Sequence, residues 1–143
     1  MTGSGRERSR RRPLDGIGAA LIAFGLLNVV TGLGLAFAPG AFFESVGPYG
    51  VRNDHYMGDL ATYYVALGGA LLVAARWRSW RVPVLAIALT QGLLHAFNHL
   101  IDIDEARPAW IGPSNLISLT VLGALLLLLL VAAVRRQSGG IGR

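Results

Sequence analysis

The chain has 143 residues, 53% of them hydrophobic and 15% charged, with 13 basic side chains against 8 acidic ones for a formal net charge of +5. So little charge, with the apolar residues gathered in long runs, excludes an ordinary soluble domain, and the length leaves room for one compact bundle and no second domain. The absence of cysteine excludes disulfides, thiolate metal sites, iron–sulfur clusters and cysteine nucleophiles, so a metal would have to be held by His, Asp or Glu.

Residues 1–15 form a basic tail carrying Arg6, Arg8, Arg10, Arg11 and Arg12. Ahead of a membrane span such a run reads as a topology determinant that also meets anionic lipid headgroups, and not as a nucleic-acid contact. Basic residues before an apolar run, with Ala36-Phe37-Ala38 as a small-x-small signal, also have the outline of a secretory leader. The length of the run and Pro39 just past the would-be cut favour an uncleaved anchor. That every basic residue is arginine, among abundant Ala, Gly and Leu, suggests a bacterial genome rich in GC.

The first span is expected over 17–38, with Asp15 as N-cap and Pro39-Gly40 as the stop. Gly18, Gly25 and Gly32 recur at heptad spacing along it and form a seam that another helix can approach closely. The second span is expected over 53–75, emerging from the hydrocarbon near Asp59, with Ala66, Gly68, Gly69 and Ala70 as a matching small-residue surface. The third, 82–101, begins at Val82-Pro83, where proline suits a first helical turn. The fourth, 115–134, follows Pro113, with Ser114 or Asn115 as its cap. Together they make a membrane domain over 16–135, followed by a tail, 136–143, whose Gly139, Gly140 and Gly142 read as disordered.

Charge sets the orientation. Arg76, Arg78 and Arg81 between spans two and three, and Arg135, Arg136 and Arg143 after span four, join the N-terminal arginines on one side; Glu44, Asp54, Asp59, Asp102, Asp104 and Glu105 fall on the other. By the positive-inside rule the expected fold is all-α, an antiparallel bundle of four transmembrane helices with both termini cytoplasmic, in the cytoplasmic (inner) membrane.

One polar constellation stands out. His55 and Asp59 lie four residues apart, and Thr62 and Tyr63 continue their stripe inward. Gln91, His95, Asn98, His99 and Asp102 follow at steps of three and four in span three. Both stripes lie towards the outer side, so neighbouring antiparallel spans would bring them level, and ionisable groups near hydrocarbon mark a functional site by default. The expected function is a metal site near the outer face, with His55, Asp59, His95 and His99 as ligands to a divalent zinc, iron or copper ion for redox or hydrolytic chemistry, and Tyr63, Gln91, Asn98 and Asp102 as supporting partners.

Haem, with His55 facing a span-three histidine, is less favoured, because His95 and His99 share a face and few small residues surround them. Proton or quinone-related chemistry and a purely structural hydrogen-bond network remain open. The competing functional class is a non-catalytic accessory subunit, homo-oligomeric or part of a larger membrane complex. Phe42, Phe43, Tyr49, Tyr56, Trp77, Trp80 and Trp110 read as belt aromatics at the membrane surfaces. Asn28, Thr31, Ser118 and Thr120 read as packing contacts. Hydrolase, nucleotide-loop and zincin motifs are absent from the sequence.

With Asn53-Asp54-His55-x3-Asp59 opening the second span and His95-x3-His99 closing the third, the chain resembles small four-helix bacterial membrane proteins of DoxX-like architecture. The resemblance implies the four-helix fold and carries no assigned reaction.

Overall fold

The computed structural model describes residues 14–141; the arginine run at 6–12 lies outside the described residues, as does Arg143. The helices are α1 (Gly16–Phe37), α2 (Pro39–Ser45), α3 (Asp54–Arg76), α4 (Arg81–Ile101) and α5 (Ile111–Ile141), with a short 3-10 turn, Arg78–Trp80, between α3 and α4. α1, α3, α4 and α5 are long and apolar enough to cross a membrane. Leu26, Val30, Ile87, Leu94 and Leu128 stand exposed on them, an arrangement that lipid tolerates and water does not. The chain has the build of a multi-pass membrane protein.

Local chemistry sets the helix ends. The Asp15 carboxylate accepts from the Gly18 amide at 2.9 Å and caps α1, as the sequence suggests. Asn53 caps α3 in the same way, accepting from the amides of His55 and Tyr56. Pro39 ends the first span but then opens the short helix α2, which the apolar runs do not signal; at a first helical position the missing N–H costs nothing. α5 starts at Ile111, ahead of the expected cap, because Pro113 fits inside a first turn whose amides lack intrahelical partners. Ser114 bonds back to the Ile111 carbonyl and caps nothing. Gly139 and Gly140 are helical, not disordered, since α5 continues to Ile141.

The packing is pairwise. α1 lies antiparallel along α3 and α4 along α5, while α3 and α4 touch more sparingly. Gly18, Gly25 and Gly32 face Ala75, Gly68 and Ala61 in turn, so the seam is spent inside the bundle. At its centre a Cβ on Gly68 would stand 2.7 Å from the Gly25 carbonyl oxygen and 2.9 Å from the Val29 amide, so only glycine permits this approach. The expected partner surface is half right: Gly69 looks into open space and Ala66 is exposed. The close-packed core, including fully buried Leu21, Leu71 and Leu85, occupies the half of the bundle nearest the chain termini.

That terminal end is closed by one carboxylate. Arg81, the one buried charged residue among the described residues, donates from both Nη atoms to the two Asp15 oxygens at 2.8 Å. It also donates to the carbonyls of Ala74 and Ala75 at the end of α3. Arg136 of α5 reaches Asp15 Oδ2 at 2.9 Å, and Arg78 stands 3.6 Å from the same atom. The start of α1, the end of α3, the start of α4 and the end of α5 therefore meet on Asp15. Its hydrogen bonds from Arg81, which outweigh the cost of burial, hold the carboxyl well below the usual carboxylate range, with the Gly18 amide and the charges of Arg81 and Arg78 adding to the effect.

Two outcomes follow. Gly68→Ala should lower thermal stability in detergent by about 1–3 kcal/mol through backbone overpacking, whereas Gly69→Ala, facing open space, should be neutral or mildly stabilising. Because folding favours the ionised Asp15, its contribution is fully present above the unfolded carboxylate value of about 4 and is lost as pH falls below it. An Asp15→Asn variant should be destabilised at neutral pH by about 3 kcal/mol, the cost of stranding buried Arg81. A melting series from pH 7 to pH 2 should show the difference from the parent protein shrinking as the acid limit is approached.

Candidate functional site

The expected four-residue site divides into two places. His55 and Asp59 pair with each other at 3.7 Å on the outer face of α3, with side chains 82% and 68% exposed. Tyr63 and Thr62 follow them outward, and Thr62 bonds back to the Asp59 carbonyl. Helical phase explains the miss: nine positions at roughly 100° each put Tyr64 half a turn from His55. The stripe that faces the bundle interior is instead Met57, Leu60, Tyr64, Leu67 and Leu71.

His95 and His99 do come together, one helical turn apart on α4. Their Nε2 atoms are 3.1 Å apart and their rings are tilted at 35° with centroids 4.8 Å apart. On the flank of His95 away from His99, the Tyr64 hydroxyl lies 3.2 Å from Nδ1, and Gln91 Nε2 is 3.5 Å from the same atom. On the far side of His99, the Tyr49 hydroxyl lies 2.9 Å from Nδ1, its ring meeting the imidazole edge-on. Asn115 of α5 donates to the Val46 carbonyl at 2.9 Å and towards the Tyr49 hydroxyl at 3.4 Å. Gln91 thus joins the histidines as expected. Asn98 and Asp102 do not, since Asn98 is exposed and donates to Asp102 at 3.2 Å.

Tyr49 is held from outside the helices. It bridges Ala106 in antiparallel fashion, and the Arg107 amide donates to the Pro48 carbonyl, so the two loops at this end of the bundle are joined. Tyr49 was expected in the aromatic belt; here it closes a hydrogen-bonded cluster.

The cluster lies along one wall of a cavity of about 760 Å³ between the four long helices, in the half of the bundle that the core leaves open. Phe24, Phe42, Phe43 and Tyr56 supply aromatic walls, and Leu67, Leu71 and Leu126 lie at its inner end. Asn28, Gln91, Asn115 and Ser118 add neutral polar groups, with Asn28 and Ser118 bonded back to their own helices. Among the described residues, no Asp, Glu, Arg or Lys lines this cavity.

This arrangement favours neutral hydrogen-bonding chemistry. Among the described residues no three His, Asp or Glu side chains converge, which leaves a metal ion at the histidine pair two ligands short of the expected set. His55 does not line the cavity that His95 and His99 line, so the cross-bundle axial pair for haem is not formed by these residues. No family model, curated protein or solved structure matches the chain, and function has to be argued from these side chains.

Tyr64 is signalled in the sequence by the i, i+3, i+7 stripe it shares with Met57 and Leu60. Tyr49 and Asn115 carried no such signal, because a loop and a helix start have no face to read.

Thermal unfolding in detergent should separate the two places. His55→Ala should change stability by less than about 0.5 kcal/mol, as an exposed substitution does. His95→Ala should cost about 1–3 kcal/mol by leaving the Tyr64 hydroxyl without its partner.

Proposed function

We propose that the protein binds a flat, uncharged, lipid-soluble molecule bearing carbonyl or hydroxyl oxygens, of the quinone class, with its head against His95 and His99. The observation that carries this reading is the cavity itself: about 760 Å³, aromatic and aliphatic along much of its wall, with neutral donors and acceptors among its lining residues. That volume lies within the range of small-molecule sites. The absence of charged side chains from its described lining disfavours a phosphate headgroup, which would need Arg, Lys or a bare helix start to balance it. Tyrosine and imidazole both give and accept hydrogen bonds, as a carbonyl–hydroxyl pair requires.

The positive-inside rule supports an orientation in which Arg76, Arg78, Arg81, Arg135 and Arg136 face the cytoplasm of a bacterial inner membrane. The histidine pair then lies beneath the outer surface, and the cavity is filled from the bilayer.

The test is purification of the full chain in mild detergent, followed by mass spectrometry of an organic extract and metal analysis of the same sample. The expected result is a quinone-class lipid at close to one per chain, reduced at least tenfold in a His95→Ala/His99→Ala variant. Tenfold corresponds to about 1.4 kcal/mol, the loss of one or two hydrogen bonds. Recovery of phospholipid alone contradicts the reading, and so does one equivalent of zinc, iron or copper that disappears in the double variant.

A further inference from the structure

The four side chains Tyr64, His95, His99 and Tyr49 are joined end to end. Tyr64 Oη meets His95 Nδ1 at 3.2 Å, His95 Nε2 meets His99 Nε2 at 3.1 Å, and His99 Nδ1 meets Tyr49 Oη at 2.9 Å. Tyr64 lies ten residues into α3, roughly 15 Å from its start at 1.5 Å per residue, while Tyr49 belongs to the loop before that start. The chain of contacts therefore runs from the middle depth of the bundle to its loop end.

We propose that Tyr64, His95, His99 and Tyr49 form a proton relay between the cavity and the loop-end surface. Two Nε2 atoms 3.1 Å apart share one proton, not two, because two N–H groups would point at each other. If His95 carries that proton, its Nδ1 is bare and accepts from the Tyr64 hydroxyl. His99 then accepts at Nε2, holds its own proton on Nδ1 and donates to the Tyr49 oxygen, leaving the Tyr49 O–H directed onward. If His99 carries the shared proton, every link reverses. Each state satisfies all four groups, and moving one proton across each link, with one entering at Tyr64 and one leaving at Tyr49, converts one state into the other.

Transfer balances without electrons. An acidic hydroxyl in the cavity gives its proton to the Tyr64 oxygen as the Tyr64 proton passes to His95 Nδ1. The His95 Nε2 proton passes to His99 Nε2, the His99 Nδ1 proton to the Tyr49 oxygen, and the Tyr49 proton to water. Each relay group gains one proton and loses one, so no charge is left on the four relay side chains themselves. The cavity ends as an oxyanion and the outside water as hydronium; reverse traffic restores both.

The ionisable neighbours leave the pair undisturbed by direct contact. Tyr63 lies beside Tyr64 with ring centroids 5.9 Å apart and faces outward, and Asp102 at the end of α4 is engaged by Asn98. From α5 the group that reaches the chain is the neutral amide of Asn115. The relay rests on the ligand reading above only for the source of the proton.

The full chain in lipid nanodiscs, with ring-15N histidine, tests it directly, and exposed His55 serves as the internal reference. The expected spectrum of the parent protein shows one Nε2–H and one Nδ1–H between His95 and His99, fixed or averaged. In deuterated buffer the His95 ring proton should exchange at least tenfold more slowly in Tyr49→Phe than in the parent, although Tyr49 does not touch His95, and His99→Gln should have the same effect. Identical tautomers on the two rings, as a shared metal ion would impose, overturn the relay. Unchanged His95 exchange in both variants overturns it as well, since water would then be reaching the ring through the cavity. A short-chain benzoquinone added to the same sample tests the ligand class separately: no shift of the cavity signals, with the relay signature intact, removes the ligand reading alone.

Discussion

Asp15 is the constraint on which the bundle depends. A single carboxylate caps α1, takes both arms of buried Arg81 and receives Arg136 from α5, while Arg81 also ties down the last carbonyls of α3. Buried as it is, Arg81 is stable only because its guanidinium is nearly saturated with partners. Four helix ends are drawn to one point, and the close-packed core follows on that side. The opposite half, where no such tie exists, keeps the open volume.

Unequal packing between the helix pairs shapes that volume. Gly25 and Gly68 let α1 and α3 approach until their backbones touch. α4 and α5 make a second pair, and the space between the pairs widens towards the loops. Polar side chains there are satisfied by one another and by backbone carbonyls; among the described residues, no buried side-chain nitrogen or oxygen lacks a partner. The joined loops place a tyrosine hydroxyl over His99, in a cavity whose lining mixes neutral polar groups with aromatic and aliphatic ones. That mixture matches a molecule with an oxygen-bearing head and an apolar body.

Much of this architecture could be read from sequence, because lipid demands long apolar runs and helix ends demand particular residues. Asp15 as a cap, the glycine seam, four helices long and apolar enough to cross a membrane and the His95–His99 pair all rest on local sequence, and the structure shows each of them. What periodicity omits is the rotation of one helix against another. His55 and Asp59 form a proper i, i+4 pair, yet their stripe points out of the bundle, and a neighbouring stripe containing Tyr64 points in. The role of Asp15 beyond capping was hidden for a related reason: Arg81 and Arg136 are far from it in sequence and looked like ordinary topology markers. Tyr49 reads as a belt aromatic because only the loop pairing with Ala106 turns its hydroxyl onto His99.

As proposed, the space beside the histidine pair is a ligand site and not a crevice filled by bulk lipid. The decisive experiment is a density map of the protein in lipid, prepared with a saturating short-chain benzoquinone. Planar density is expected in the cavity, with an oxygen within hydrogen-bond distance of His95 or His99. Acyl-chain density alone, or a compact metal peak between the two Nε2 atoms, would contradict it.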